Sequence, residues 1–152
     1  MTTPHIMDVD PYDLNRFIEA QGESYEQALA EIRSGRKRSH WMWFILPQYA
    51  GLGSSPMSQR YAIKSLEEGE AYLRHPVLGP RLLECVEAAL AIQDRSAVEV
   101  FGSPDDAKLR SSATLFAALA PAGSVFARLL DKYFDGQRDD RTLQLVAGAN
   151  YD

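Results

Sequence analysis

Apolar residues recur along this chain at the three- and four-residue spacing of amphipathic helices, and short polar breaks separate the repeats. The first pattern follows Asp10-Pro11, and a second runs from Ser24 to Gly35. Ser, Thr, Asp and Asn favour the residue before a helix, proline its first turn, and glycine the residue after it. Further starts of this kind lie at Ser55-Pro56, Ser65, Pro80, Ser96, Ser103-Pro104, Ser124 and Asp140. The pattern predicts about eight to nine short helices.

The longest pattern, residues 104–120, predicts a helix at the centre of the fold. Its second half, Leu115 to Ala120, is apolar on every side, which is typical of a helix surrounded by other elements. We therefore expect the remaining helices to pack around it.

One run contains no polar residue and is predicted to cross the core: Trp41-Met42-Trp43-Phe44-Ile45-Leu46. Its length and its aromatic residues also suit a buried strand. A lone strand would have no partner among so many helices, whereas Ser39 and Pro47 suit the two ends of a helix. We predict a short buried helix here and an all-α fold for the chain.

The length of 152 residues predicts one domain, placed at 10–146, with a loose N-terminal arm at 1–9 and a C-terminal tail at 147–152. The hydrophobic content of 45% and the charged content of 24% are ordinary for a globular protein. A single cysteine, Cys85, allows no disulfide within the chain and favours a reducing compartment. The sequence has no signal-peptide pattern and no apolar run of about 20 residues, so we expect a soluble, cytoplasmic protein without membrane contact.

The feature with the clearest chemical character is the segment Arg36-Lys37-Arg38-Ser39, which we call the basic turn. The chain has a formal charge of −5, so this segment forms a positive patch on an acidic molecule. Since one predicted helix ends at Gly35 and the next begins at Ser39, the cations should lie beside free backbone N–H groups. Guanidinium groups and helix N-termini are the usual partners of phosphate. The basic turn is either an anion site or a solvated surface beside a helix end.

Aromatic residues after the basic turn are expected to form the floor of a pocket, and the polar half of the central helix its opposite wall. The alternative for that polar half is an ordinary exposed surface. The candidate ligand-binding residues are Arg36, Lys37, Arg38, Ser39, Trp41, Trp43, Gln48 and Tyr49, together with Lys108, Arg110 and Ser112.

His40, next to the basic turn, is the candidate for acid–base catalysis. Neighbouring cations disfavour its charged form and leave the imidazole able to accept a proton. No carboxylate partner is identifiable in the sequence, so an ordinary structural histidine is the competing interpretation. Three scattered histidines and one cysteine predict no zinc site, and we expect no cofactor. An acidic chain without a basic recognition helix argues against specific binding of nucleic acid.

Several motifs give the chain a family resemblance. They are Arg36-Lys37-Arg38-Ser39-His40-Trp41-Met42-Trp43-Phe44, Pro47-Gln48, Gly51-Leu52-Gly53, Tyr61-Ala62-Ile63, Phe101-Gly102, Asp105-Asp106, Lys108-Leu109, Ser111-Ser112 and Thr114-Leu115-Phe116. With these motifs the chain resembles, over residues 10–146, a bacterial family known as domain of unknown function 1810. The resemblance implies a single all-helical domain of the α–α superhelix type. It implies no activity and no catalytic residues.

Two functional hypotheses follow from these features. The first is a protein that binds an anionic small molecule, phosphate- or nucleotide-like, at the basic turn and the tryptophans. The second is a protein-interaction module without a small-molecule ligand. A concave polar pocket favours the first hypothesis, and an exposed apolar patch of roughly several hundred Å² favours the second. The residue pattern does not decide whether the protein is an enzyme.

Overall fold

The computed structural model describes residues 9–149, and within them ten helices are joined by short turns. The helices are α1 Asn15–Gln21, α2 Tyr25–Arg33, α3 Met42–Ile45, α4 Pro56–Arg60, α5 Leu66–Arg74, α6 Leu78–Ala91, α7 Ala97–Phe101, α8 Asp105–Leu119, α9 Val125–Phe134 and α10 Asp140–Ala149. Over these residues β pairing is limited to one parallel bridge between Tyr49 and Ile63. The predicted all-α fold is confirmed, with ten helices where about eight to nine were predicted.

Helix α8 lies at the centre of the fold and confirms the predicted central helix. It packs against α5, α7, α9 and α10. Its buried side chains include Leu109, Leu115 and Phe116. These residues belong to one cluster of buried side chains that also includes members of α1, α2, α3 and α6. One shared core of this kind identifies the described residues as a single domain.

Four of the predicted helix starts are confirmed by their capping side chains. Each of four serines accepts a hydrogen bond from the backbone N–H three residues later, namely Ser55, Ser65, Ser96 and Ser124. Other starts differ from the prediction, and α6 begins at Leu78 rather than at Pro80. Ser24 makes no capping bond, since its backbone is helical (φ −109°, ψ −18°) rather than extended as at the four capping serines. The Gln27 side chain donates to Ser39 and Glu31. Helix α10 is capped by Asp139 rather than Asp140, since Thr142 donates to the Asp139 carboxylate through both its N–H and its hydroxyl.

The two ends of the described chain also differ from the predicted bounds. Asp10 accepts hydrogen bonds from the backbone N–H groups of Leu14 and Asn15, each at 2.8 Å, so α1 begins four residues after Pro11. Helix α10 continues to Ala149, beyond the predicted start of a tail at residue 147. Residues 1–8 of the predicted arm and 150–152 of the predicted tail lie outside the described residues.

The apolar run at 41–46 crosses the core as predicted and contains the short helix α3. Its buried members are Trp41, Met42, Phe44, Ile45 and Leu46, and Trp43 is half-buried. Ser39 lies outside this helix, because α3 begins only after Trp41. None of the ten helices described is long and apolar enough to cross a membrane.

Candidate functional site

The basic turn is held in place by Glu31, a buried carboxylate near the end of α2. The backbone N–H groups of Arg38 and Ser39 donate to Glu31 Oε1 at 2.8 and 3.0 Å. The Trp41 indole N–H donates to the same oxygen at 2.8 Å. The Ser39 hydroxyl and the Gln27 amide donate to Oε2 at 2.6 and 3.1 Å. One internal carboxylate therefore receives five hydrogen bonds.

These hydrogen bonds set the ionisation of Glu31. Burial disfavours the charged carboxylate and raises its pKa, but the bonds from Ser39, Arg38 and Trp41 together outweigh burial. The net effect is to lower the pKa of Glu31 from 4.5 to about 2. The carboxylate is therefore ionised in the folded protein at neutral pH.

The position of Glu31 changes the interpretation of Ser39. The sequence predicts free backbone N–H groups at this residue, directed at an external anion. In the structure the N–H groups of Arg38 and Ser39 are both bound to the protein's own carboxylate. Any ligand at the basic turn must therefore be bound by side chains rather than by these backbone groups.

Lys37 is also engaged within the protein. Its ammonium group lies 2.8 Å from Asp105 at the start of α8 and donates to the Ser39 carbonyl oxygen. The same group lies 4.9 Å from the centroid of the Trp41 ring. The backbone N–H of Lys37 donates to the Val100 carbonyl oxygen at 2.7 Å. Lys37 thus joins the basic turn to α7 and α8, and its side chain is only 7% exposed.

A cavity of about 310 Å³ lies between the basic turn and the start of α8. We call it the basic cavity, and it is lined by Lys37, Arg38, Ser39, His40, Met42, Trp43, Ser103, Pro104, Asp105 and Lys108. Three of the lining side chains are cationic and one, Asp105, is anionic, which gives a formal charge of +2 with neutral His40. Arg38 and His40 are exposed, and Trp43 is half-buried. The basic cavity therefore combines positive charge with an aromatic wall.

Lys108 is the less firmly held of the two lysines that share Asp105. Its ammonium group lies 3.6 Å from Asp105 Oδ1, compared with 2.8 Å between Lys37 and Oδ2. The same ammonium group lies 5.2 Å from the centroid of the Trp43 ring. The indole nitrogen of Trp43 is buried and has no hydrogen-bond partner among the described residues. Buried donors are normally paired in native proteins, so the Trp43 N–H is an exception.

The remaining candidate residues between Arg36 and Tyr49 lie in three different places. Trp41 is buried and its indole N–H is bound to Glu31. Arg36 is exposed and is not among the described residues that line the basic cavity. Gln48 and Tyr49 line a second cavity of about 270 Å³, beside the loop at residues 50–53. The structure therefore does not bring Gln48 and Tyr49 into the basic cavity.

Of the predicted opposite wall, the structure brings Lys108 to the basic turn. Arg110 instead donates to the Arg138 carbonyl oxygen at 3.2 Å, and its Nε is buried without a partner among the described residues. Ser112 is 2% exposed. Neither Arg110 nor Ser112 is among the described residues that line the basic cavity.

Sequence reasoning missed the role of two carboxylates. Asp105 is not among the predicted site residues, yet it binds Lys37 and lines the basic cavity. Glu31 lies three residues after Ala28 and beside Ile32, so it falls on the apolar face of α2. A charged residue on the buried face of a helix needs polar partners inside the protein, and that signal was present in the sequence.

Comparisons with known proteins concern the chain as a whole. A family model described as protein of unknown function (DUF1810) matches residues 11–146. The crystal structure of the conserved hypothetical protein Rv1873 from Mycobacterium tuberculosis, at 1.38 Å, is similar with a TM-score of 0.89 and 54% sequence identity. That similarity covers 91% of this chain and 99% of that chain. No protein of curated function matches.

Proposed function

The chain belongs to the DUF1810 family of proteins of unknown function, and we propose that its basic cavity binds a small anionic molecule. The observation that carries this proposal is the convergence of three cationic side chains on one cavity of about 310 Å³, in a chain whose formal charge is −5. A cavity lined mainly by one sign of charge concentrates ligands of the opposite sign. Its volume is at the lower end of small-molecule sites, which favours a small ligand.

Arg38 and Lys108 are the side chains that hold the anionic group. Arg38 is exposed, and its guanidinium group forms no ion pair with any residue that the structure describes. A guanidinium group presents paired N–H donors that match phosphate and carboxylate. Lys108 is bound only loosely to Asp105, so its ammonium group is available to a second anion. Glu31 and Lys37 keep the basic turn in position around these two contacts.

His40 lines the same cavity and contacts the ligand in this proposal. Its side chain has no hydrogen bond with any other described residue. A histidine that acts as a general base is normally oriented by a hydrogen-bonded partner. The proposed function is therefore binding, and it assigns no reaction to His40.

Thermal-shift measurements with inorganic phosphate and nucleoside monophosphates test the proposal. We expect a ligand present at 100 times its dissociation constant to raise the free energy of unfolding by about 2.7 kcal/mol. Arg38→Ala should weaken binding about tenfold or more, because it removes a charged hydrogen-bonding partner. Arg36→Ala is the matched control, since Arg36 is an equally charged, exposed neighbour outside the cavity, and it should bind as the wild type does. Equal effects of the two substitutions, or no stabilisation by any of these anions, would contradict the proposal.

A protein-interaction role is the second candidate function, and one groove favours it. The groove, of about 370 Å³, lies between α5, α6 and the start of α9. Its walls include Leu73, Leu119 and Val125, and Leu83 at its edge is 40% exposed. A protein partner whose binding is lost in Leu83→Glu and retained in Arg38→Ala would support this candidate in place of the first.

A further inference from the structure

We infer that the ligand of the basic cavity carries a planar aromatic ring as well as its anionic group, and that the ring stacks on Trp43. This inference rests on the proposed function and adds the chemical class of the ligand. It is carried by the contacts of Trp43 and Lys108, which differ from those of their neighbours Trp41 and Lys37.

The Trp43 ring lines the basic cavity. Lys108 lines the same cavity and places its ammonium group over that ring, 5.2 Å from the centroid. Trp41 also has an ammonium group over its ring, that of Lys37 at 4.9 Å, but Trp41 is buried and packs edge-on against Phe101 at a centroid distance of 6.4 Å. No aromatic ring of the described residues is paired with Trp43 in this way. An indole face accepts either a cation or another planar ring, so a ligand ring can replace the ammonium group.

The indole N–H of Trp43 gives a second, independent indication. The Trp41 N–H, two residues earlier, donates to Glu31 at 2.8 Å. The Trp43 N–H is buried and finds no acceptor among the described residues. Unpaired buried donors are uncommon in native proteins and mark positions where a partner is missing. A ligand reaches this N–H only when the side chains that cover it move, and an oxygen atom at the edge of the ligand ring then supplies the acceptor.

Lys108 is placed to change partners when such a ligand binds. Lys37 already neutralises Asp105 at 2.8 Å, so the 3.6 Å contact between Asp105 and Lys108 is the weaker of the two. A ring on Trp43 displaces the Lys108 ammonium group, and the anionic group of the ligand becomes its new partner. Arg38, exposed at the same cavity, adds a paired contact to that group. The site therefore selects a ring and a charge in one molecule, as in a nucleoside monophosphate or an aromatic carboxylate.

Titration calorimetry on the unmodified protein separates the contribution of the ring from that of the charge. The probes are adenosine 5′-monophosphate, ribose 5-phosphate, adenosine and 2-naphthoate. We expect the monophosphate to bind about tenfold or more tightly than ribose 5-phosphate, because stacking of one base on an aromatic side chain contributes on that order. Adenosine, which lacks the charge, should also bind about tenfold or more weakly. Tight binding of 2-naphthoate with weak binding of the monophosphate would identify an aromatic carboxylate as the ligand class.

Two substitutions at Trp43 add a readout at the proposed contact. Trp43→Leu should reduce affinity for the monophosphate about tenfold and leave that for ribose 5-phosphate unchanged. Quenching of tryptophan fluorescence by the monophosphate should disappear in Trp43→Phe, which retains Trp41. If a variant does not fold, the four probes on the wild-type protein still test whether the ligand ring contributes to binding. Equal affinities for the monophosphate and ribose 5-phosphate, with neither adenosine nor 2-naphthoate bound more tightly, would overturn the ring inference and leave the anion proposal standing. Binding of none of the three anions would overturn both.

Discussion

Glu31 is the residue on which the shape of the basic turn depends. It is 8% exposed, and it receives hydrogen bonds from two backbone N–H groups and three side chains. A buried charge is tolerated only where donors of this kind replace water. Without them the turn that presents Arg38 would lose its anchor to α2.

Removing the charge of Glu31 should destabilise the fold. We expect Glu31→Gln to lower the free energy of unfolding by about 2–4 kcal/mol at pH 7, because the carboxylate's charged hydrogen bonds are lost or weakened. The pKa of Glu31 is about 2 in the folded protein against 4.5 for an ordinary glutamate. Its stabilisation is therefore present above about pH 4.5 and is lost as the pH falls toward 2. Urea denaturation at pH 7 and pH 3 should show a smaller acid-induced loss in the variant.

Glu87→Gln is the control for this measurement. Glu87 is an exposed carboxylate on α6, and its substitution should change stability by no more than about 0.5 kcal/mol. If Glu31→Gln and Glu87→Gln are equally stable at pH 7, the anchoring role of Glu31 is wrong.

The identity of Glu31 as an anchor shows what residue-scale signals can predict. Its position on the apolar face of α2 indicates that it needs partners, but four of its five hydrogen bonds come from residues seven to ten positions later. The path of the basic turn, rather than helical periodicity, brings Arg38 and Trp41 to the carboxylate. That path depends on tertiary contacts such as the bond from Lys37 to Val100.

At the scale of elements, the helices were predictable because their signals are local. A capping serine and the N–H that it binds are three residues apart, as at Ser55 and Ser96. The wall of the basic cavity depends instead on which turn of α8 meets the basic turn. Lys108 and Ser112 share one face of that helix, but Ser112 lies one turn deeper and is buried. Arg110, two residues from Lys108, lies on another side of the helix.

The junction of α5 and α6 makes a prediction at the same scale, because Gly79 lies against the backbone. A Cβ atom at this position would lie 2.2 Å from the carbonyl oxygen of Leu73, at the end of α5. Backbone cannot move aside as a flexible side chain can, so Gly79→Ala should lower the free energy of unfolding by about 1–3 kcal/mol or more. Chemical denaturation provides the measurement.

Gly148→Ala serves as the comparison for Gly79→Ala. No described atom lies within 4 Å of a Cβ atom built at Gly148 in α10, apart from its chain neighbours and the helix backbone. Alanine is the better helix former, so this variant should be as stable as the wild type or slightly more stable. Similar stabilities for the two variants would show that the junction accommodates a methyl group.

At the scale of the whole molecule, fold and site were predictable to different degrees. The all-α single domain and its family followed from patterns that run through most of the chain, and the match at 11–146 and the similar structure with a TM-score of 0.89 agree with them. The basic cavity joins segments about 65 residues apart, at Arg38–Trp43 and Ser103–Lys108. The periodicity of the sequence does not predict that these two segments come together. The formal charge of +2 around the cavity, on a chain of −5, emerges only when these segments are brought together.

The central claim, that a small anion binds in the basic cavity, is tested most directly by the two indole N–H signals in ¹H–¹⁵N NMR spectra. Trp43 lines the cavity and its buried N–H has no partner among the described residues, whereas the Trp41 N–H donates to Glu31. During titration with adenosine 5′-monophosphate, the Trp43 signal should shift progressively to saturation while the Trp41 signal moves much less. A stationary Trp43 signal up to millimolar ligand, or a shift confined to Trp41, would contradict the claim.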